Sequence, residues 1–415
     1  MTDGLAHLLR RATMAAHPDR MAEMVDLSLD QAIDRIVAAA QPSENGQLEM
    51  PWNTDTGPPV DDNESWGAVS VWWVNRLSSA DAGLIDRLAW TWHNWFTTSD
   101  EAFSGQLLSA NQLKILYRYG SSDLRTLVHQ IVTSGAMLRY LDAAGSEAYN
   151  PNENLARELM ELYTIGPDNY GEDDVRAGAR ALAGWKVDDE TGEVDFTASD
   201  AFVAPLIFLG VQDRWDTTRI VNALVEHPST AYRISAYLWA EFVGSEPTEA
   251  QARDLADVFV DNDLQILPLV ERILRSVDFA EANRSRFSTT IEWLVGARAA
   301  VDPDGEETEL EPWHLENLGQ RPFAPPSPAG WPRGDFWSRP GTLLPRLQLA
   351  QNVETSTALD QNWTTAGILA ALGLPQSDPS AVPIGEVLGD DRFDLETRRQ
   401  LAWRIALTCP TFQLH

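Results

Sequence analysis

An all-α protein is the fold class that the sequence predicts, and three observations predict it. Apolar residues recur at three- and four-residue spacing through most of the chain, helix caps and stops punctuate those runs, and one short stretch alone alternates as a strand pair would. The expected architecture is a multi-helix body with one minor β-hairpin near 186–196 and a proline- and tryptophan-rich irregular segment near 321–345. With 415 residues, 44% of them hydrophobic, the chain can bury a large core. It is read as a single helical domain over 1–415, divisible into halves 1–196 and 217–415 joined by an irregular stretch.

Taken in order, LAHLLRRATMAA and LSLDQAIDRIVAAA give two helices separated by a turn at Pro18 and Asp19. Residues 41 to 64, rich in Pro, Asn, Asp and Gly, read as an exposed loop. Six of the 16 tryptophans fall between Trp66 and Phe96, on two helices. In the second, Leu84, Ile85, Leu88, Trp92, Trp95 and Phe96 share the apolar arc, while Asp86, Trp90, His93 and Asn94 lie on the other side. An aromatic among polar groups, as Trp90 is, either stacks on a sugar or peptide or covers a neighbouring helix. His93 is a general base, a metal ligand or a satisfied structural donor. NQLKILYRYG then closes a helix at Gly120, and the next starts from a Ser122 cap and places His129 among apolar neighbours.

The polar chemistry concentrates in PNENLARELMELYTIG, residues 151 to 166. At about 100° per residue, Glu153, Asn154, Arg157, Glu158 and Glu161 share one arc, opposite Leu155, Ala156, Leu159, Met160, Leu162 and Tyr163. Pro151 suits the first turn, Asn150 or Asn152 can accept free amide hydrogens there, and Gly166 and Pro167 stop the helix. On an open surface these charges form ordinary pairs. Covered by other helices, they need partners, protons or a metal.

Further on, WKVDDETGEVDF is the hairpin, with its turn at Thr191-Gly192, and the chain to about Asp216 is irregular or briefly extended. HPSTAYRISAYLWAEF begins with His227 closing the helix start and Ser229 or Thr230 as cap. EPTEAQARDLADVFVDND and ILPLVERILRSVDF form a helix pair, and FSTTIEWLVGARAA a packing helix with Glu292 on its flank. VDPDGEETELEP reads as an exposed acidic turn without EF-hand ligand spacing. The prolines of 321–345, together with Trp331, Phe336 and Trp337, favour a segment that wraps the body and lines a cleft. A last helix ends at Pro410.

PNENLARELMELYTIG followed by YGEDDVRAGARALAGW resembles the signature of the bacterial domain-of-unknown-function 1800 family. HLLRRAT at 7–13, WHNWF at 92–96, MLRYLD at 137–142, EHPSTAYRISAYLWAEFVG at 226–244, LGQRPFAPPSPAGWPRGDFW at 318–337 and TCPTFQ at 408–413 agree in order. The resemblance spans nearly the whole chain and implies no settled activity. For many relatives it implies an accessory role beside a co-encoded hydrolase-like protein. The family pattern has a second histidine where this chain has Trp95, and another ahead of Leu209-Gly210, where Val203, Ala204 and Pro205 stand; Thr408, Cys409 and Thr411 replace its closing serine and glutamate. These departures point to a diverged, non-catalytic member.

Composition narrows the functions. A net charge of −31 repels phosphate backbones and anionic lipid, so nucleic acid is not an expected partner. A single cysteine, Cys409, leaves neither an intramolecular disulfide nor a multi-cysteine zinc site. Arg10 and Arg11 precede no secretory apolar run, and no 18-residue apolar segment follows, so a soluble cytoplasmic protein without membrane insertion is expected. Phosphate loops, dinucleotide fingerprints, nucleophile elbows and HExxH are missing. The favoured reading is an interaction or accessory protein. The alternative is a carboxylate-based enzyme with Glu158, Glu153 and His93 as catalytic groups and Asn152, Asn154, Arg157, Glu161, Trp90, Asn94 and Trp331 as binding groups. No cofactor is required and no metal ligand set is assigned, although a hard divalent cation is compatible with those carboxylates. A glycan site joining them to Trp90, Trp331 and Trp337 is a further variant.

Overall fold

The computed structural model describes residues 2–41, 50, 67–103, 106–303, 310–351 and 364–415. The expected loop within 41–64 and the middle of the expected acidic turn at 301–312 lie largely outside those residues. Helices dominate, and the only sheets among the described residues are two antiparallel strand pairs. The fold is all-α with minor hairpin structure, as the periodicity predicts. One contiguous apolar core runs from Leu5 to Phe412.

Local chemistry explains most helix starts. Ser28, Thr248 and Thr289 each form a reciprocal capping box with the side chain three residues on. His227 caps Pro228–Val243 itself, its Nδ1 accepting the Ser229 N–H at 3.2 Å, so neither Ser229 nor Thr230 is the cap. Likewise Asp123, rather than Ser122, caps Leu124–Val132, because its carboxylate takes the Thr126 N–H at 2.9 Å. On that helix His129 is half-buried against Thr218 instead of lying in the core.

The hairpin pairs Trp185–Val187 with Val194–Phe196, and Lys186 lies opposite Asp195. The stretch expected to be irregular holds a second pair, Leu206–Phe208 with Val211–Asp213. Three-residue strands are too short for alternation to register, and the turn uses a positive φ at Leu209 as well as at Gly210.

Residues 321–339 wrap the body as a strap containing one 3-10 turn, Gly334–Ser338. A helix, Pro340–Gln351, then begins inside the segment expected to be irregular throughout. Pro340 occupies its first turn, where a missing N–H costs nothing. Ser70 Oγ donates to Pro322 O at 2.8 Å, Thr97 Oγ1 to Pro328 O at 2.7 Å and the Asp100 N–H to Phe323 O at 2.8 Å.

The central helix departs from a regular α-helix. It is α-helical over Asn154–Glu158 and π-helical over Leu159–Tyr163, with Asn152 Oδ1 accepting the Asn154 N–H at 2.8 Å. A wide turn at a helix end leaves carbonyls without backbone donors. Here side chains supply them: Arg233 donates to the carbonyls of Glu161, Leu162 and Thr164 at 2.7, 3.0 and 3.1 Å, and Trp95 Nε1 to that of Tyr163 at 3.1 Å. Gly166 makes room for that guanidinium. It has φ +84°, and a Cβ there would lie 2.6 Å from Arg233 Nη1. Gly166→Ala is therefore expected to lower stability by about 2 kcal/mol in a denaturant titration, combining left-handed strain with loss of the Arg233 cap.

Candidate functional site

The polar face of the central helix is half-exposed and in part already paired. Arg157 bonds both carboxylate oxygens of Glu172 at 2.7 and 3.0 Å and reaches Glu153 at 3.4 Å, while Glu161 accepts the Tyr170 hydroxyl at 2.7 Å. Glu158 sits nearer the body. Burial, helped by the neighbouring Glu161, raises its pKa, and burial followed by Glu158 lifts the Tyr140 hydroxyl to about 12. Asn152 is exposed and Asn154 half-exposed. Among the described residues no group of three or more His, Cys, Asp or Glu is arranged to hold a metal ion. These groups make an ion-pair surface, connected inward through Tyr163 and Trp95 rather than through the carboxylates.

The other candidates meet elsewhere. On Leu84–Trp95 the side expected to be polar is buried, with Asp86, Arg87 and His93 fully covered and Trp90 4% exposed. The strap is what covers much of it. His93 Nε2 accepts the Phe323 N–H at 3.0 Å, and Asn94 Oδ1 the Trp331 N–H at 2.9 Å. Trp331 lies stacked on Trp90, centroids 6.5 Å apart at 18°. His93 is boxed by Trp73, Phe323 and Trp331 at 5.1, 4.5 and 5.5 Å. Burial lowers its pKa to about 3, so the ring is neutral, with the proton assigned to Nδ1 by the bond at Nε2. A lone pair spent on the backbone is not available as a base, which makes His93 the clasp of the strap.

Trp90 and Asn94 also border a cleft of about 180 Å³. Its other walls are the end of Pro228–Val243 with Gly244 to Glu246, the chain from Arg286 to Thr289 leading into Thr290–Val301, and strap residues Pro332, Arg333 and Trp337. At its base lies a charge centre. Glu292 Oε1 accepts from Arg87 at 2.7 Å and Arg286 at 2.6 Å, and Oε2 from Arg286 at 2.7 Å and the Thr289 N–H at 2.9 Å. Arg87 also contacts the carbonyl of Glu241 at 3.1 Å and its Oε2 at 3.3 Å. Burial by itself would raise the Glu292 pKa, but Arg286 above all, with Arg87, holds it well below the carboxylate range.

A family model described as a protein of unknown function (DUF1800) matches residues 7–414. The chain belongs to this family. Neither the curated proteins nor the solved structures contain a match to it. Three of the motifs that carry the resemblance meet at the cleft: WHNWF supplies Asn94 and the His93 clasp, the 226–244 segment supplies Glu241, and the 318–337 segment is the strap. Trp95, at the position where the resemblance led to the expectation of a second histidine, donates to the carbonyl of Tyr163 in the π-turn.

The sequence reading missed Arg87, Glu241, Arg286 and Arg333, and placed Glu292 only on the flank of a packing helix. Arg87 and Asn94 are seven residues apart, hence on one face of their helix, and this was the available signal. Thr289-x-x-Glu292 reads as a capping box, which conceals the second task of that carboxylate.

Two outcomes are expected. Glu292→Gln should cost about 3 kcal/mol at neutral pH, because it leaves Arg87 and Arg286 buried around an uncharged group. With the folded-state pKa depressed below the unfolded 4.5, the Glu292 contribution is complete above that pH and lost as pH falls toward the folded value. The gap between wild type and variant in denaturant titrations should therefore narrow from about pH 5 downward. By contrast, the double variant Glu153→Gln, Glu158→Gln should change stability by no more than about 1 kcal/mol in the same titrations and leave metal content by elemental mass spectrometry unchanged.

Proposed function

We propose that the protein is a binding or accessory component rather than a hydrolase, and that the cleft beside Trp90 and Trp337 receives its ligand. The state of Glu292 carries this reading. Four hydrogen bonds occupy its two oxygens, so it stays ionised and has no proton to give. Hydrolysis by paired carboxylates needs one member protonated and the other free to attack or to activate water. Of the two carboxylates that bond Arg87, only Glu241 retains an open oxygen: among the described residues, its Oε1 has no hydrogen-bond donor, whereas Oε2 faces Arg87.

The rest of the lining supports the same reading. Neither histidine nor cysteine is among the described residues that border the cleft, so neither a cysteine nucleophile nor an imidazole base is offered there. Planar donors and acceptors beside indole walls serve recognition. An accessory role also needs a surface for the larger partner, and the second hairpin with the chain leading into it presents Val203, Ile207 and Val211 to solvent. The co-encoded hydrolase-like protein that the resemblance implies is the partner we assign. The net charge of −31 disfavours nucleic acid, and among the described residues no helix is long and apolar enough to cross a membrane.

Native mass spectrometry after incubation with the small-molecule fraction of the host, alongside turnover assays on chromogenic glycosides, esters and phosphates, tests the reading. Wild type should retain about one small ligand per chain, Glu241→Gln should retain none, and neither should turn substrate over. Turnover that disappears in Glu241→Gln would overturn it.

A further inference from the structure

The cleft is balanced in charge. Glu241, Glu246 and Glu292 face Arg286 and Arg333, and Arg87, directly behind, bonds to both Glu241 and Glu292. Three carboxylates thus meet three guanidinium groups. A dicarboxylate, a phosphate or a polyamine would find as much repulsion as attraction there, and would give up its hydration for no net gain.

The groups left open are mixed in kind. Glu241 Oε1 and, at the rim, the carboxylate of Glu246 are acceptors. Trp90 borders the cleft, and among the described residues its indole N–H has no acceptor, so it is left open as a donor. Arg333 lies 3.8 Å from Glu246, beyond hydrogen-bond range, and rests over the Tyr237 ring at 5.2 Å, so its N–H groups are available at the rim. Trp90, Trp337 and Phe287 supply apolar wall between these polar points. As for size, a cavity of about 150 Å³ accommodates one benzene ring, so a cleft of about 180 Å³ accommodates one six-membered ring with small substituents.

A ligand that is neutral, ring-sized, edged with hydroxyls and faced with C–H groups satisfies all of these constraints. Hydroxyls both donate to a carboxylate and accept from a guanidinium or an indole N–H, while the C–H faces lie on aromatic walls. We propose that the cleft binds one neutral monosaccharide ring, a proposal that rests on the binding reading above and names its ligand class.

The test follows the indole N–H resonances of Trp90 and Trp337 in ¹⁵N-labelled protein, assigned with Trp90→Phe and Trp337→Phe. The probes are neutral hexoses and pentoses, hexuronates, hexosamines, free amino acids, dicarboxylates and inorganic phosphate. A neutral monosaccharide should shift both resonances saturably, and its affinity should fall about tenfold in Glu241→Gln and in Arg333→Ala, as loss of one charge-assisted hydrogen bond implies. Arg333 is a rim residue with a half-exposed side chain, so Arg333→Ala should melt as wild type does and separates binding from folding. If a charged probe or an amino acid shifts the resonances and no neutral sugar does, the sugar assignment falls while the binding reading stands. If no probe shifts them and the chain retains nothing from host small molecules, both fall.

Discussion

Everything in this fold converges on one carboxylate out of reach of bulk water. Glu292 belongs to a helix late in the chain, Arg87 to one near the start, and Arg286 to the connection that leads into Thr290–Val301; through Arg87, Glu241 at the end of Pro228–Val243 is drawn in as well. Segments some 200 residues apart are thereby fixed against each other by directional bonds as well as by apolar contact. An ionised group in that position is tolerated only when every partner is in place. The three helices therefore arrive together or the centre is not formed, and the cleft has a rigid floor because of it.

The strap depends on the helix that carries Arg87 as well. Proline-rich chain has few N–H groups to offer, so where it does offer one the acceptor matters. Phe323 and Trp331 provide two such N–H groups, and His93 and Asn94 receive them. A histidine in a family motif invites a catalytic interpretation, yet here burial strips it of charge and the backbone consumes its lone pair. Its environment, rather than its identity, decides its work.

Periodicity made the helical class and the hairpin at 185–196 legible in the sequence, and the density of prolines among aromatics did the same for the wrapping role of the segment from 321. Periodicity also placed Trp90, His93 and Asn94 on one face. That face being covered was not legible, because its cover comes from some 230 residues further along and carries no repeating pattern. The charge centre escaped for a related reason: Arg87, Glu241 and Glu292 each look like an ordinary helix-surface residue until three distant helices are brought together. The central helix misled in the other direction, since a dense run of Glu and Asn draws attention, whereas partners at Glu172 and Tyr170 reduce it to surface pairing. Nor does composition announce a π-turn, which appears only once Arg233 and Trp95 arrive to satisfy its carbonyls.

The stacking of the strap onto the aromatic helix has an optical consequence. Trp73, Trp90 and Trp331 are held with neighbouring ring centroids 5.4 and 6.5 Å apart in fixed, asymmetric orientations. Indoles that close share their excited states, and their rigid asymmetry gives near-ultraviolet circular dichroism that vanishes when packing loosens, even where helices persist. The chain thus contains its own chromophore for the seating of the strap, and a change in that spectrum without change in the far-ultraviolet would signal a cleft open to solvent while the helical body remains intact.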